Sequence, residues 1–559
     1  MIAFIVITVA VVLGIAYIVY GRFLSAELDI DDKRVTPSVE INDGDDFVPA
    51  KASMLLPQHF SAIAAAGPIV GPILAGMWFG WGPALLWIVL GAIFVGGVHD
   101  FLSLIASVRN KAMTIGEIVK QNLSPISYIL FLSFIWIALM YIVIAFTDVT
   151  AQSFVAVSGG MAIGPGVAFA SMLYLFLGVG MGLVLRYWKA PLGLTTVVFM
   201  ALLFAVIWLS DHLPPGLESA LAAMPVKGWE VVLIVYCAVA ALLPMWLLLQ
   251  PRGYLGGWFL YITLAIGVFG ALFGNYDIQY PAFNLDGWRG LETGKLIFPA
   301  LFITIACGAC SGFHGIVSSG TTSKQIRVES DTIRVGLGSM LLEGLVAVLA
   351  LVTVMILAKG DPMLKSDPNV IYANGLAKYM GILGIDFKLA LTFALMAFAT
   401  FVYDTLDVCT RLSRYVVQEL FGWKSRTGAL VSTVVTLLPP LAFLMLTKEK
   451  AYIKAWPLFG TSNQLMASLT LLAVTIWLVK SGRKAIYAAI PMVFMMAVTL
   501  TSLVLQIKPI LAKFPELVGG KVGADEVIVG TAAIVLFVLT IWLLYEAFMS
   551  VVLRRRREA

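Results

Sequence analysis

His59-Phe-Ser-Ala-Ile-Ala-Ala-Ala-Gly67-Pro68-Ile-Val-Gly71-Pro72-Ile-Leu-Ala75 is the stretch that decides the fold. It is apolar enough to belong in lipid, yet it carries two Gly-Pro pairs four residues apart. Proline removes a backbone donor and clashes with the preceding turn, and glycine adds backbone freedom. The pairs predict a helix that unwinds near the middle of the membrane. Freed N–H and C=O groups survive there only where they face protein, water or a ligand, and transporters use such breaks to hold substrates and ions. The alternative is a simple proline kink.

The rest of the chain has the same character. Of 559 residues, 60% are hydrophobic and 12% charged, against about 45–50% and about 25% in a soluble domain. Apolar runs near the roughly 20 residues needed to cross a bilayer recur from end to end. They predict an all-α polytopic membrane protein of about 15 spans. These lie at 2–20, 58–80, 82–107, 125–147, 165–186, 192–212, 229–250, 255–273, 296–318, 336–358, 385–408, 428–447, 455–479, 485–506 and 527–553. The first run has no basic residue before Arg22 and no clear cleavage site, so it reads as a retained span rather than a signal peptide.

Charge placement supports the list. Alternate loops carry 24 of the 37 Lys and Arg residues, ending in Arg554 to Arg557. By the positive-inside rule this puts the N-terminus outside and the C-terminus in the cytoplasm. The longest polar stretch, 21–57, holds Glu27, Asp29, Asp31, Asp32, Glu40, Asp43, Asp45 and Asp46 and reads as a solvated cytoplasmic loop.

A second interruption follows in the ninth span, Ile305-Ala-Cys307-Gly308-Ala-Cys310-Ser311-Gly312-Phe313-His314-Gly315-Ile-Val-Ser318-Ser319-Gly320-Thr321-Thr322. Its glycines, hydroxyls and histidine suit an unwound helix lining a polar cavity, with close helix packing as the alternative. The Cys307/Cys310 spacing reads as small residues in tight packing. The two breaks lie seven spans apart, hence in opposite orientations. That suggests a LeuT-like core of two inverted five-helix repeats with broken first helices. Phe146-Thr-Asp148-Val149-Thr150 and Thr405-Leu-Asp407-Val408-Cys409 echo each other at equivalent positions. The resulting division is 1–57 (first helix and acidic loop), 58–212 (repeat A), 213–295 (two linking helices), 296–480 (repeat B) and 481–559 (two helices and a basic tail).

Ionisable groups inside spans are costly and so mark function or pairing. His99, Asp100, Glu343, Asp404 and His314 are candidates to carry a coupling proton, with structural hydrogen bonding as the alternative. Asp407 is expected to pair with Arg411 or Arg414. Hydroxyls at Ser318, Ser319 and Thr322 are candidates for a sodium site, as are those around Thr400–Thr405. Asn463 and Gln464, near the start of the thirteenth span, either cap that helix or line the external mouth of a pathway. No span contains a well-buried Lys or Arg, so a substrate carboxylate would meet backbone N–H groups at the breaks. The expected substrate contacts are Gly67, Pro68, Gly71, Pro72, Cys310, Ser311, Gly312, Phe313 and His314. No H-E-x-x-H or similar pair suggests a metal enzyme, no cofactor or nucleic-acid motif is seen, and no output domain suggests a sensor.

The segments Ala66–Ala75, Phe79-Gly-Trp-Gly-Pro-Ala-Leu-Leu-Trp87, Gly97-Val-His-Asp-Phe101, Ser311-Gly-Phe-His-Gly315, Ser318-Ser-Gly-Thr-Thr-Ser-Lys-Gln325 and Trp456-Pro-Leu-Phe-Gly-Thr-Ser-Asn-Gln464 resemble the carbon starvation protein (CstA) family. The resemblance runs from about Pro57 to Gln464. It implies a bacterial inner-membrane transporter related to the amino acid–polyamine–organocation superfamily, importing pyruvate or short peptides, with proton symport implied for the pyruvate importers. Sodium coupling, a passive channel and a nutrient sensor are the other readings.

Overall fold

The computed structural model describes residues 1–44, 47–447, 450–512 and 524–558. Asp45 and Asp46 of the acidic run lie outside the described residues, as do the side chains of Arg554 to Arg557. Apart from a small hairpin pairing Val157–Ser158 with Met161–Ala162, the described elements are helices. In chain order they are α1 (Ile2–Glu27), α2 (Ala52–Ile63), α3 (Gly67–Phe79), α4 (Trp81–Arg109), α5 (Ile115–Asn122), α6 (Pro125–Phe154), α7 (Gly164–Trp188), α8 (Leu192–Ser210), α9 (Val226–Leu242), α10 (Leu249–Phe273), α11 (Ile297–Thr304), α12 (Gly312–Val317), α13 (Ile333–Met355), α14 (Pro368–Gly381), α15 (Phe387–Phe421), α16 (Arg426–Leu446), α17 (Ala451–Lys480), α18 (Ile486–Ala512) and α19 (Ala524–Glu558).

The chain is a multi-span membrane protein. Among the described residues, 12 helices are long and apolar enough to cross a bilayer alone, and two bent pairs bring the total to 14. The fifteenth expected span is the segment holding α11 and α12, whose 8 and 6 residues are each too short to cross. Several boundaries move, the eleventh span running on to Phe421 rather than 408, and two of the shifts bear on the site. The span expected at 229–250 stops at Leu242, ahead of Pro244, and the next helix starts already at Leu249. The helix expected from 455 starts at Ala451. One buried helix, α14, was not expected; it packs on α10, α13 and α15.

The connections sort into two faces by contact. Those following odd-numbered spans touch one another. Arg483 pairs with Asp29 at 3.0 Å, Lys480 donates to the Asn122 carbonyl at 2.6 Å, and Ala50 bridges Ile326. Those following even-numbered spans also touch one another, through Lys388–Asp211 at 2.8 Å, Lys359–Glu292 at 3.2 Å and Lys450–Asp367 at 3.0 Å. An error of one crossing would have mixed the two sets.

The acidic 21–57 segment is docked rather than simply solvated. The Ser38 hydroxyl donates to the Ile326 carbonyl at 2.5 Å, and the Asp32 carboxylate takes both the Ser330 N–H and its hydroxyl. Glu329 is the centre of this clasp. Arg109 grips both carboxylate oxygens at 2.8 and 3.0 Å, Arg34 adds 3.1 Å and the Asp31 N–H 3.0 Å. Burial pushes the Glu329 carboxyl up. Hydrogen bonds from Arg109 and Asp31, with the charges of Arg109 and Arg34, outweigh it and leave the group below its ordinary value. A depressed carboxyl stabilises the folded form above the ordinary carboxylate range and loses that contribution as pH falls through its lowered value. Hydrogen exchange across 28–41 and 323–332 should therefore stay slow at neutral pH and quicken only below the usual carboxylate range. Glu329→Gln should quicken it already at pH 7, and equal exchange in both proteins would show the clasp to be inert.

Candidate functional site

The first break is built by sequence and closed by packing. α2 ends at Ile63, α3 begins at Gly67, and the two are bent by 47°. Between them the Ala64 N–H still reaches the Phe60 carbonyl at 2.9 Å, while the Ala65 N–H turns to Ile63 at 3.0 Å. Pro68 sits in the first turn of α3, where its missing N–H costs nothing. Gly67 and Gly71 are needed for contact. A methyl on Gly67 would lie 2.2 Å from Cys307 Sγ, and one on Gly71 would lie 2.3 Å from the Thr304 oxygen. The two breaks thus lie directly against each other. From α15, the Thr405 hydroxyl donates to the Ala62 carbonyl at 3.0 Å.

The second break spans 305–311, and α17 satisfies it. Asn463 Oδ1 accepts the Phe313 N–H at 3.0 Å and the Ser311 hydroxyl at 3.2 Å, and its amide nitrogen reaches Cys307 Sγ at 3.4 Å. Gln464 donates to the Phe302 carbonyl at 2.5 Å, and the Trp87 indole donates to the Ile305 carbonyl at 3.2 Å. Asn463 and Gln464 therefore do not cap their own helix. Because α17 begins at Ala451, they lie three turns inside it and serve the backbone of another helix.

Four of the expected ionisable residues converge at this break. His99 Nδ1 lies 2.7 Å from Asp100 Oδ1, Asp100 Oδ2 lies 2.7 Å from His314 Nδ1, and His314 Nε2 lies 3.2 Å from Glu343 Oε2. All four are fully buried. They come from α4, α12 and α13, and each of those helices has a wide i→i+5 turn nearby, at 92–96, 318–322 and 333–337. Such turns are rare and gather at functional sites. Both carboxylate oxygens of Asp100 accept, so both Nδ1 atoms carry hydrogen. His314 Nε2 and both Glu343 oxygens have no hydrogen-bond partner among the described residues, so the line ends in a 3.2 Å approach rather than in a formed hydrogen bond. The hydroxyls named as sodium candidates divide. Ser319 donates to the Gly315 carbonyl at 2.8 Å and Thr322 meets His59 Nδ1 at 2.9 Å, while Ser318 Oγ has no hydrogen-bond partner among the described residues.

Asp404 stands apart from this chain. It belongs to a second buried cluster around Arg252, whose Nε donates to Asp404 Oδ1 at 2.6 Å. Arg252 also pairs with Asp407 and Tyr236, and Ser61 donates to Asp404. This overturns two expectations. A span does contain a buried arginine, since Arg252 is 1% exposed in the first turn of α10. Asp407 pairs with it rather than with Arg411, which instead donates to the Ala240 carbonyl at 3.0 Å and to Leu243. Between the clusters lies a cavity of about 20 Å³ lined by Gln58, His59, Arg252, Thr321, Thr322 and Asp404. It is room for about one water. Gln58 Oε1 and His59 Nε2, which have no partner among the described residues, belong to its wall.

A family model described as carbon starvation protein CstA matches residues 1–371 and 361–502. The chain belongs to the CstA family. The peptide transporter CstA of Helicobacter pylori (strain J99) is 32% identical over 572 residues, covering 89% of this chain and 81% of that one. The pyruvate/proton symporter BtsT of Escherichia coli (strain K12) is 30% identical over 559 residues, covering 84% and 76%. Among solved structures, that of MhsT in complex with L-phenylalanine matches at 12% identity and a TM-score of 0.47, covering 88% of this chain and 98% of that one.

In this CstA-family chain, then, Gly67, Pro68, Gly71 and Pro72 form the start of α3, Cys310 and Ser311 lie in the second break, and Gly312, Phe313 and His314 open α12. Sequence reasoning missed Arg252, Tyr236, Ser61 and the cavity-facing role of His59. The available signal was Gln250-Pro-Arg252-Gly-Tyr, a lone charge embedded in apolar sequence and read as a loop. Arg252 opposes two carboxylates, so Arg252→Met should lower stability by about 3–5 kcal/mol. Thermal unfolding of the purified protein would measure this, and adding Asp407→Asn should recover part of the loss.

Proposed function

We propose that this protein is a secondary transporter that imports a small organic nutrient, pyruvate or a short peptide, by proton symport with alternating access. The observation that carries the reading is the buried line His99–Asp100–His314, hydrogen-bonded at each step and ending 3.2 Å from Glu343, which runs through the first turn of the second broken helix. The names of the relatives agree with it. A proton shared between His314 and Glu343 changes the charge beside the break. The substrate lies between Gly67–Pro72 and Cys310–His314, where the two breaks now close on each other. Asn463 Oδ1, on the Phe313 N–H and the Ser311 hydroxyl, stands in for a substrate carboxylate oxygen. When substrate enters, it takes these donors and α17 swings aside. The small cavity beside His59 and Asp404 gives the proton a water-sized step toward the basic-loop face.

In this reading residues 58–212 and 296–480 are the inverted repeats. The basic-loop face is cytoplasmic and the N-terminus lies outside a bacterial inner membrane. Uptake into liposomes under an imposed pH gradient tests the function, with pyruvate and dialanine as substrates and sodium varied separately. Accumulation should follow the proton gradient and ignore sodium. Glu343→Gln should abolish gradient-driven accumulation while leaving substrate counterflow within about threefold of the parent. Accumulation that ignores pH, or that survives the substitution, would remove the proton role.

A further inference from the structure

Beside the link between α9 and α10, on the basic-loop face, lies a cavity of about 230 Å³. α7 reaches it with its last residues, which form a wide i→i+5 turn at 184–188. Gly182 lets the link come close: a methyl there would lie 2.7 Å from the Leu247 oxygen and 2.8 Å from the Trp246 oxygen. Met54, Leu185 and Tyr254 supply an apolar wall, and the Tyr254 hydroxyl is taken by Thr196 at 3.0 Å. The polar lining is Arg186 and Gln250, with no carboxylate among the lining residues.

The Arg186 guanidinium lies over the Trp246 ring, 4.3 Å from the ring centre. Stacking occupies the face of the planar group, while its N–H donors lie in the plane, in the fork that fits a phosphate. Arg186 is exposed and makes no hydrogen bond or ion pair among the described residues. Lys189, three positions on, is exposed and equally unpaired among them. The Gln250 side chain has no hydrogen-bond partner among them either. Both cations complement the negative end of α7, but that end alone calls for neither a stacked guanidinium nor a cavity beside it. At the same helix end Tyr187 and Trp188 are 68% and 79% exposed, as aromatic residues are where a span meets the lipid headgroups.

We infer that this cavity is a binding site for the headgroup of an anionic phospholipid. The phosphate lies at the edge of the Arg186 guanidinium, Gln250 donates to a headgroup oxygen, and the tails pass Met54 and Leu185 into the bilayer. The volume is below the roughly 300–1,000 Å³ of sites that enclose a whole small molecule, which suits a ligand most of which stays in lipid. Basic pockets between spans bind such headgroups. Tyr187 and Trp188 place the cavity at headgroup depth, so lipid rather than a soluble anion is the occupant. Gln250 and Pro251, both in its lining, directly precede Arg252. A bound headgroup therefore steadies the first turn of α10. Binding needs neither uptake nor coupling, so the inference stands apart from the transport reading.

The test is native mass spectrometry of the full-length protein in detergent, titrated with phosphatidylglycerol and, separately, with phosphatidylcholine. The parent should hold phosphatidylglycerol about tenfold more tightly. Arg186→Gln should remove about fivefold of that affinity and Lys189→Gln a similar factor. Lys359→Gln, which removes an exposed cation from the opposite face, should remove none. Thermal unfolding identifies which variants are folded, and either of the first two suffices. Equal affinity of the parent for both lipids, or phosphatidylglycerol affinity unchanged in a folded Arg186→Gln or Lys189→Gln protein, would overturn the site. An equal loss in Lys359→Gln overturns it too, because the attraction is then general to the surface. Millimolar inorganic phosphate should leave the lipid bound; displacement by it marks a site for soluble anions and removes the lipid assignment.

Discussion

A peptide group released from its helix inside a membrane has no water to turn to, and every other feature of this protein's centre follows from that constraint. Two helices are interrupted at 64–66 and 305–311, and polar groups at each gap find partners on other helices as well as within their own segment. Thr405 serves the first gap, and Asn463, Gln464 and Trp87 serve the second. The glycines let the gaps meet closely enough for Cys307 to sit against Gly67. Backbone polarity, normally hidden in a membrane protein, is thereby gathered into one place and held by side chains that can let go.

Two buried charge clusters flank that place and differ in kind. Around Arg252, one guanidinium is balanced against Asp404 and Asp407 with a tyrosine hydroxyl as mediator, a dense arrangement that fixes α10 to α15. A buried ion pair of this sort contributes little net stability over an apolar isostere, but it strongly disfavours states in which one partner is left alone. Around His314, two imidazoles and two carboxylates are arranged in a line rather than a knot. The first cluster has the form of a fastening, and on the transport reading proposed above the second serves as the conductor. Sequence alone could not separate them, because Asp404 and Asp100 look alike as carboxylates within apolar runs.

What the sequence made legible was whatever has a local cause. Gly67-Pro68 opens a new helix, the glycines and hydroxyls from Gly308 onward mark the second gap, and basic residues bias loops to one side, so both interruptions and the parity of the crossings could be read directly, although Gly71-Pro72 lies inside α3 without breaking it. What it concealed depends on distant partners or on where a helix starts. Arg252 meets an aspartate 152 positions away, and its neighbour Pro251 imitates a loop although it lies in a helix's first turn. Asn463 resembled a capping residue only because the helix was expected to begin at 455 rather than at Ala451. The four residues of the His314 line were each individually visible as costly ions, yet their order became apparent only once α4, α12 and α13 were placed side by side.

His99 and Asp100 are adjacent on one rigid helix, whereas His314 sits on a six-residue fragment tethered by unwound chain. A shift of that fragment leaves the His99–Asp100 contact intact and alters both Asp100–His314 and His314–Glu343. The line therefore has one stiff joint and two compliant joints. On the proton-carrier reading, whatever tilts the fragment also decides whether those two joints conduct, so mechanical position and electrical continuity are two readings of a single coordinate.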